Sequence, residues 1–137
     1  MASPHEILHP ANWKPARGYA NGVAASGRMI FCGGLIGWNA DQQFESDDFA
    51  QQTAQALRNI VAVLAEAGAK PEHLVRLTWY VTSKREYLDS LPELGRAYRE
   101  IIGRHFPAMA LVQVVALVED RAKVEIEATA VVPHEQV

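Results

Sequence analysis

Two apolar stretches near the C-terminus constrain the fold more than any other part of the chain. Residues 106–118 read Phe-Pro-Ala-Met-Ala-Leu-Val-Gln-Val-Val-Ala-Leu-Val, and after a short charged turn residues 123–131 read Lys-Val-Glu-Ile-Glu-Ala-Thr-Ala-Val. The second stretch alternates: Val124, Ile126, Ala128 and Ala130 share one face, and Glu125, Glu127 and Thr129 the other, as neighbouring side chains in a strand must. The first does not alternate, since Met109, Leu111, Val115 and Leu117 oppose Ala110, Val112, Val114 and Ala116, so both its faces are expected to be buried. In a chain this small, helices can cover one face of a sheet, which leaves the other face for another subunit. Carboxylates beside such an interface would lie in a half-buried cleft suited to proton transfer.

Length and charge narrow the function classes. A chain of 137 residues is expected to form one domain over residues 1–137, burying about 65–70% of its unfolded surface. A net charge of −3, with thirteen Lys and Arg scattered and no basic run, argues against a nucleic-acid partner. Cys32 is the single cysteine, which rules out an intrachain disulfide and a thiolate zinc site. His5 and His9 are four apart, but Pro4 and Pro10 break any metal-binding helix there. No apolar run reaches the roughly 18 residues that span a bilayer, and the start lacks a basic segment leading into an apolar one. The expectation is therefore a cytoplasmic protein with no membrane partner and no metal.

The remaining periodicities give an element order. Residues 1–17, with Pro4, Pro10 and Pro15, form an extended lead-in, with Glu6-Ile-Leu8 available as an edge strand. Residues 19–25 and 29–33, joined at Ser26-Gly27, are expected to pair as a hairpin. Ser46-Asp47-Asp48 caps a helix bearing Phe49, Thr53, Leu57, Ile60, Val61 and Leu64 on one side, which ends at Gly68 and Pro71. Residues 74–82 set Val75, Leu77, Trp79 and Val81 against Arg76, Thr78, Tyr80 and Thr82, the pattern of a half-buried strand. A second helix covers about residues 85–104, with Pro92 in its first turn. The order β-β-α-β-α-β-β predicts an α+β fold, a mixed sheet with two helices on one face, in which the third and fourth strands pair in parallel and the two final strands antiparallel.

Several short blocks, Gly18-Tyr19-Ala-Asn-Gly-Val, Ser26-Gly27-Arg-Met-Ile-Phe-Cys-Gly-Gly34, Gln52-Thr-Ala-Gln-Ala-Leu-Arg-Asn59-Ile, Leu64-Ala-Glu-Ala-Gly68, Phe106-Pro-Ala and Val124-Glu-Ile-Glu-Ala-Thr-Ala, together resemble the RidA/YjgF family of reactive-intermediate deaminases. The resemblance spans about residues 18–132. It implies a chorismate-mutase-like fold, a homotrimer with clefts between subunits, and hydrolysis of small-molecule imines or enamines to 2-oxo acids and ammonia without metal or organic cofactor. In the family an arginine after Pro-Ala clamps the substrate carboxylate, a glutamate on the last strand positions water, and a tyrosine near the first strand lines the cleft. The glutamate maps onto Glu125 and the tyrosine onto Tyr19, whereas the arginine position holds Met109. The chain thus resembles an arginine-lacking branch, which puts the usual 2-iminopropanoate activity in doubt. Arg17, Arg76 and Arg121 are the candidate substitutes.

These residues define a testable site. Glu125 is the expected catalytic base or acid, and Tyr19 holds substrate. Met109, Trp38, Leu35 and the main chain at Gly33 and Gly34 are the expected substrate-binding groups. Each has a plainer alternative: an exposed strand carboxylate for Glu125, simple packing for Tyr19, Met109 and Trp38, and for Glu127 a charge pair with Lys or Arg across subunits. A buried strand cysteine with no His-Asp partner nearby is more often inert than nucleophilic, so Cys32 is set aside. The expected reaction is deamination of an imine or enamine, 2-aminomuconate-like acids included. A non-catalytic binding trimer and a ribonuclease or translation inhibitor are the rival readings.

Overall fold

The computed structural model describes residues 3–136. The chain runs through β1 (Glu6–Leu8), β2 (Gly22–Ala24), β3 (Arg28–Ile36), α1 (Phe49–Glu66), β4 (Leu74–Val81), α2 (Lys84–Asp89), α3 (Leu91–Ile101), β5 (Ala108–Gln113) and β6 (Val124–Val132). The main sheet has the order β3-β6-β4-β5, with β4 and β5 parallel and β6 antiparallel to both its neighbours. Fold class and the β4–β5 crossover match the sequence reading.

Two pairings differ from it. The short β2 pairs with β1, not with β3. Gly27, which links them, has a left-handed φ of 151°, and any Cβ there would overlap the backbone of Val132. This close approach steers the chain onto β6, so β3 finds its partner far away in sequence. The two final strands are likewise not a hairpin, because β6 inserts between β3 and β4 and leaves β5 at the edge. Residues 114–123 go round the end of β4, held by Val114 N–H donating to Val81 O at 2.9 Å and Thr82 N–H donating to Lys123 O at 3.1 Å. An interior position satisfies both edges of the long β6.

The strand expected over residues 106–118 is also shorter, ending at Gln113, and its outer face is not covered within the chain: Ala110 and Val112 are exposed, as are Val115 and Val118 beyond it. The expected second helix is split into α2 and α3, with Pro92 in the first turn of α3, since proline tolerates that position but not a helix interior.

Helix α1 is tied to the sheet by polar groups. Asp48 caps it, accepting from Gln51 N–H at 3.0 Å, and Phe49, Leu57, Ile60 and Leu64 are buried against the sheet. Gln52, wholly buried, donates to Ser46 O and Arg121 O and accepts from Lys123 N–H. Asn59 donates to Ile36 O and Trp38 O at 3.0 and 2.8 Å. At Gly37 a Cβ would overlap the backbone of Gln52. Helix and strand end therefore touch backbone to backbone, which explains why the Gln52-to-Asn59 block sits where it does.

His105 follows α3 and is buried, its Nε2–H donating to Leu74 O at 2.8 Å while its own carbonyl accepts from Tyr98 OH at 2.6 Å. Burial holds its pKa below the ordinary histidine value, with His5 and His73 adding to that and Glu72 and the Leu74 bond opposing it. A base whose folded pKa is depressed binds protons more readily when unfolded, so its stabilising effect is present above the unfolded pKa and is lost as pH falls through and below the ordinary histidine range. Urea unfolding at a series of pH values should show stability falling from about pH 7 towards pH 5, with a shallower fall in His105→Gln.

Candidate active site

A concavity lies on the helix side of the sheet, where α2, α3, β4, β5 and the segment before β2 converge. It encloses about 600 Å³, within the range of small-molecule sites. Gly18, with φ 78°, turns the chain so that Tyr19 faces this space. Ala20 then anchors the turn by its N–H donating to Pro107 O at 3.0 Å and by bridging Ala108, the first residue of β5. Met109 and Trp79 form the sheet floor, and Tyr87, Leu91 and Leu94 the helix wall. The end wall is a stacked pair, Tyr98 on Phe106, with ring centroids 5.2 Å apart and planes at 9°. Burial pushes the Tyr98 phenol above its ordinary range, so it stays a donor, fixed on His105 O.

Two cations line the same cavity: Arg17, one of the three expected substitutes, and Arg99. The others are elsewhere. Arg76 is exposed on the sheet face away from the helices, and Arg121 pairs with Asp47 at 2.9 Å and lies over the Phe44 ring. Arg99 sits one helical turn after Gly95, and its Nη1 is 3.2 Å from where a Gly95 Cβ would stand.

Glu125 belongs to a different place. In register, Met109 pairs with Leu77 and Leu77 with Ala128, while Tyr80 pairs with Glu125. Leu77 and Tyr80 are an odd number of residues apart, so Met109 and Glu125 point to opposite faces of the sheet. On that second face the half-buried Glu125 carboxylate lies against Gly34, where any Cβ would overlap it. Gly34 falls in the bulge between Cys32 and Leu35 where the β3–β6 register shifts, and bulges re-aim the groups around them.

Glu127 next along β6 accepts from Tyr80 OH at 2.7 Å, so within the chain its partner is a tyrosine. That bond, followed by desolvation and the charges of Glu127 and Glu125, raises the Tyr80 pKa above its ordinary value. Met29 and Phe31 complete the face, 58% and 69% exposed.

The structure thus brings Tyr19 and Met109 together and places Glu125 against Gly34 on the other face, while a Cβ at Gly33, beside Gly34 in the β3 bulge, would meet nothing. Leu35 packs against the core, and Trp38 packs on Phe44 with centroids 5.9 Å apart, so neither lines the cavity. Cys32 is buried and desolvation raises its thiol pKa, which fits an inert residue. Trp79, expected to be core, does sit in the core, yet it also lines the cavity, and its buried indole N–H has no acceptor among the described residues. Among those residues no group of His, Cys, Asp and Glu is placed to hold a metal ion, and no helix is long and apolar enough to cross a membrane.

The sequence family described as Endoribonuclease L-PSP matches residues 10–132. The chain belongs to the RidA/YjgF family. A RutC family protein of Aquifex aeolicus is 33% identical over 126 residues, covering 92% of this chain and 98% of its own. A 2-iminobutanoate/2-iminopropanoate deaminase of Escherichia coli K12 is 34% identical over 116 residues, or 82% and 86% of the two chains. Among solved structures, the Rid family protein YyfB of Yersinia pestis, of unknown function, superposes with a TM-score of 0.82 at 30% identity over 93% of this chain and 98% of that one. E. coli TdcF, solved with bound serine, superposes at 0.65 with 26% identity over 93% and 98%. Several RidA/YjgF relatives of this chain are thus named as imine deaminases.

The Gly34 contact can be tested by itself. Since the atoms opposing a Gly34 side chain are the far end of a flexible glutamate, Gly34→Ala should leave the protein folded at a cost of about 1 kcal/mol. That cost should disappear in a Glu125→Ala background, a coupling in the range seen for contacting residues. Urea unfolding of the four proteins measures it, and an additive cycle would contradict the contact.

Proposed function

We propose that this protein is a cofactor-independent deaminase acting on a reactive imine or enamine acid. The observation that carries the reading is the half-buried Glu125 carboxylate lying on the side-chain-free backbone of Gly34, on the sheet face where Met29 and Phe31 are exposed. Water adds to the C=N carbon as Glu125 takes its proton. Starting from the protonated imine, this gives the carbinolamine; the same carboxyl returns the proton to nitrogen, and as ammonia leaves, the hydroxyl proton passes to Glu125, leaving the 2-oxo acid. Main-chain groups at Gly33 and Gly34 would support charge developing in that step. Tyr19 would hydrogen-bond the substrate, and Met109 would give the pocket an apolar wall where the family clamp is expected.

Because Glu125 and the Tyr19–Met109 cavity face opposite sides of one sheet, the complete site in this reading lies between copies of the chain. The face carrying Glu125 also presents Met29, Phe31 and Val112 to solvent, an apolar surface suited to a self-interface. A homotrimer with three such clefts is the assembly we propose. A planar, unsaturated acid suits the aromatic walls of the cavity, and 2-aminomuconate, with its second carboxylate, is the dicarboxylate of that class to be compared with monocarboxylates.

Ammonia release from a panel of freshly generated imino acids and 2-aminomuconate-type compounds tests this. Wild type should turn over at least one of them, and Glu125→Gln should lower kcat/KM by about 10²–10⁴-fold, the usual contribution of a positioned proton-transfer group. Equal rates in the two proteins would remove Glu125 from the chemistry, and ligand binding without any turnover would favour a non-catalytic binding protein.

A further inference from the structure

The walls of the cavity say more about the acid it accepts than the family does. Its surfaces are aromatic and branched-aliphatic, with Trp79, Tyr87, Leu91 and Leu94 facing the Tyr98–Phe106 stack. Such a lining in a space of about 600 Å³ would be left largely wet by a three-carbon imino acid. Filling it with an apolar body gains the hydrophobic term that a small acid cannot supply.

The charge pattern is equally specific. Among the described residues Arg85, Arg96 and Arg121 each have a carboxylate partner; Arg17 and Arg99, like Arg58, Arg76 and Arg104, have neither an ion pair nor a side-chain hydrogen bond, and of these five Arg17 and Arg99 line this cavity. No acidic residue lines it. Gly95 leaves the Arg99 guanidinium space to lie along α3; a larger residue there would compete for it. Two unpaired guanidiniums on an otherwise apolar cavity make an anion site with a greasy interior.

We propose, granting the deaminase reading above, that the substrate is a 2-imino acid bearing an aromatic or comparably broad planar apolar side chain. Its carboxylate is paired at the rim by Arg17 and Arg99, which take over the role of the cation that Met109 cannot supply. The side chain lies on Trp79, between the α2–α3 wall and the Tyr98–Phe106 stack. Arg17 and Arg99 are thereby specificity-determining residues, and selectivity for side-chain size follows from the walls.

Binding of stable 2-oxo acids to the intact protein tests this without requiring turnover. By calorimetry, phenylpyruvate should bind at least about tenfold more tightly than pyruvate, as expected for burying an aromatic ring. Arg17→Gln and Arg99→Gln should each weaken phenylpyruvate by about fivefold or more, and the double variant should lose most of the salt dependence of binding. Unchanged thermal midpoints in the variants would separate this loss from misfolding. Equal affinity for pyruvate and phenylpyruvate, absence of binding by both, tighter binding of the dicarboxylate 2-oxoadipate, or arginine variants that bind like wild type would each overturn the proposal. Ammonia release from small and large imino acids alike would overturn the substrate class and leave the deaminase reading intact. Selective phenylpyruvate binding with no turnover on any imine would do the reverse.

Discussion

Strict alternation of side chains across the sheet is the constraint on which the rest depends. Strand β4 sits between β5 and β6, and its residues Leu77 and Tyr80 carry the register to Met109 on one side and Glu125 on the other. Because these two positions differ in parity, no rotamer brings the Glu125 carboxylate into the cavity that holds Met109 and Tyr19. One face is consumed by α1, α2 and α3. The other carries carboxylates, a tyrosine and exposed Phe31 and Met29 with no cover from this chain. A chemistry that uses both faces therefore has to use two copies.

The scaffold that holds these faces apart is built from a few exact fits. Gly27 against Val132 and Gly37 against Gln52 are places where a methyl group would meet backbone, and at Gly34 it would displace the Glu125 carboxylate. The first sets the β3–β6 pairing, the second lets α1 close on the end of β3, and the third shapes the candidate catalytic carboxylate. Gln52 and Asn59 then satisfy backbone groups that the irregular segments around residues 36–46 and 121–123 would otherwise leave unpaired. Burial of such groups without partners costs about 1–3 kcal/mol each, so these polar contacts are as structural as the apolar core.

Much of this was legible in the sequence. The alternation at residues 124–130, the helix stripe from Phe49 to Leu64 and its Asp48 cap are local signals, and each has the expected structure. The pairings of β2 and β6 were not legible, because adjacency along the chain favours hairpins while the actual partners are selected by a backbone contact at Gly27 and by the crossover of residues 114–123. The cavity was half legible: Tyr87, Leu91, Leu94 and Tyr98 recur at helical spacing within residues 85–104, but periodicity does not distinguish a stripe that packs solidly from one that lines a space. No sequence motif marks Arg99, since its relevance comes from Gly95 one turn earlier, and the contribution of Arg17 depends on the left-handed turn at Gly18. For Glu125, position on the strand and family resemblance pointed to the residue, while its separation from Met109 only the register could reveal.

The claim that the site is shared between copies is tested most directly by complementation. Glu125→Gln and the Arg17→Gln/Arg99→Gln double variant, each purified, are mixed, dissociated and reassembled, and ammonia release is measured on an imine that wild type turns over. Each variant alone should be nearly inactive, and the mixed assemblies should recover a substantial fraction of wild-type activity, because some clefts then receive an intact Glu125 from one copy and intact arginines from another. Mixed assemblies that form, by mass measurement, and yet stay as inactive as the separate variants would contradict a site built between copies.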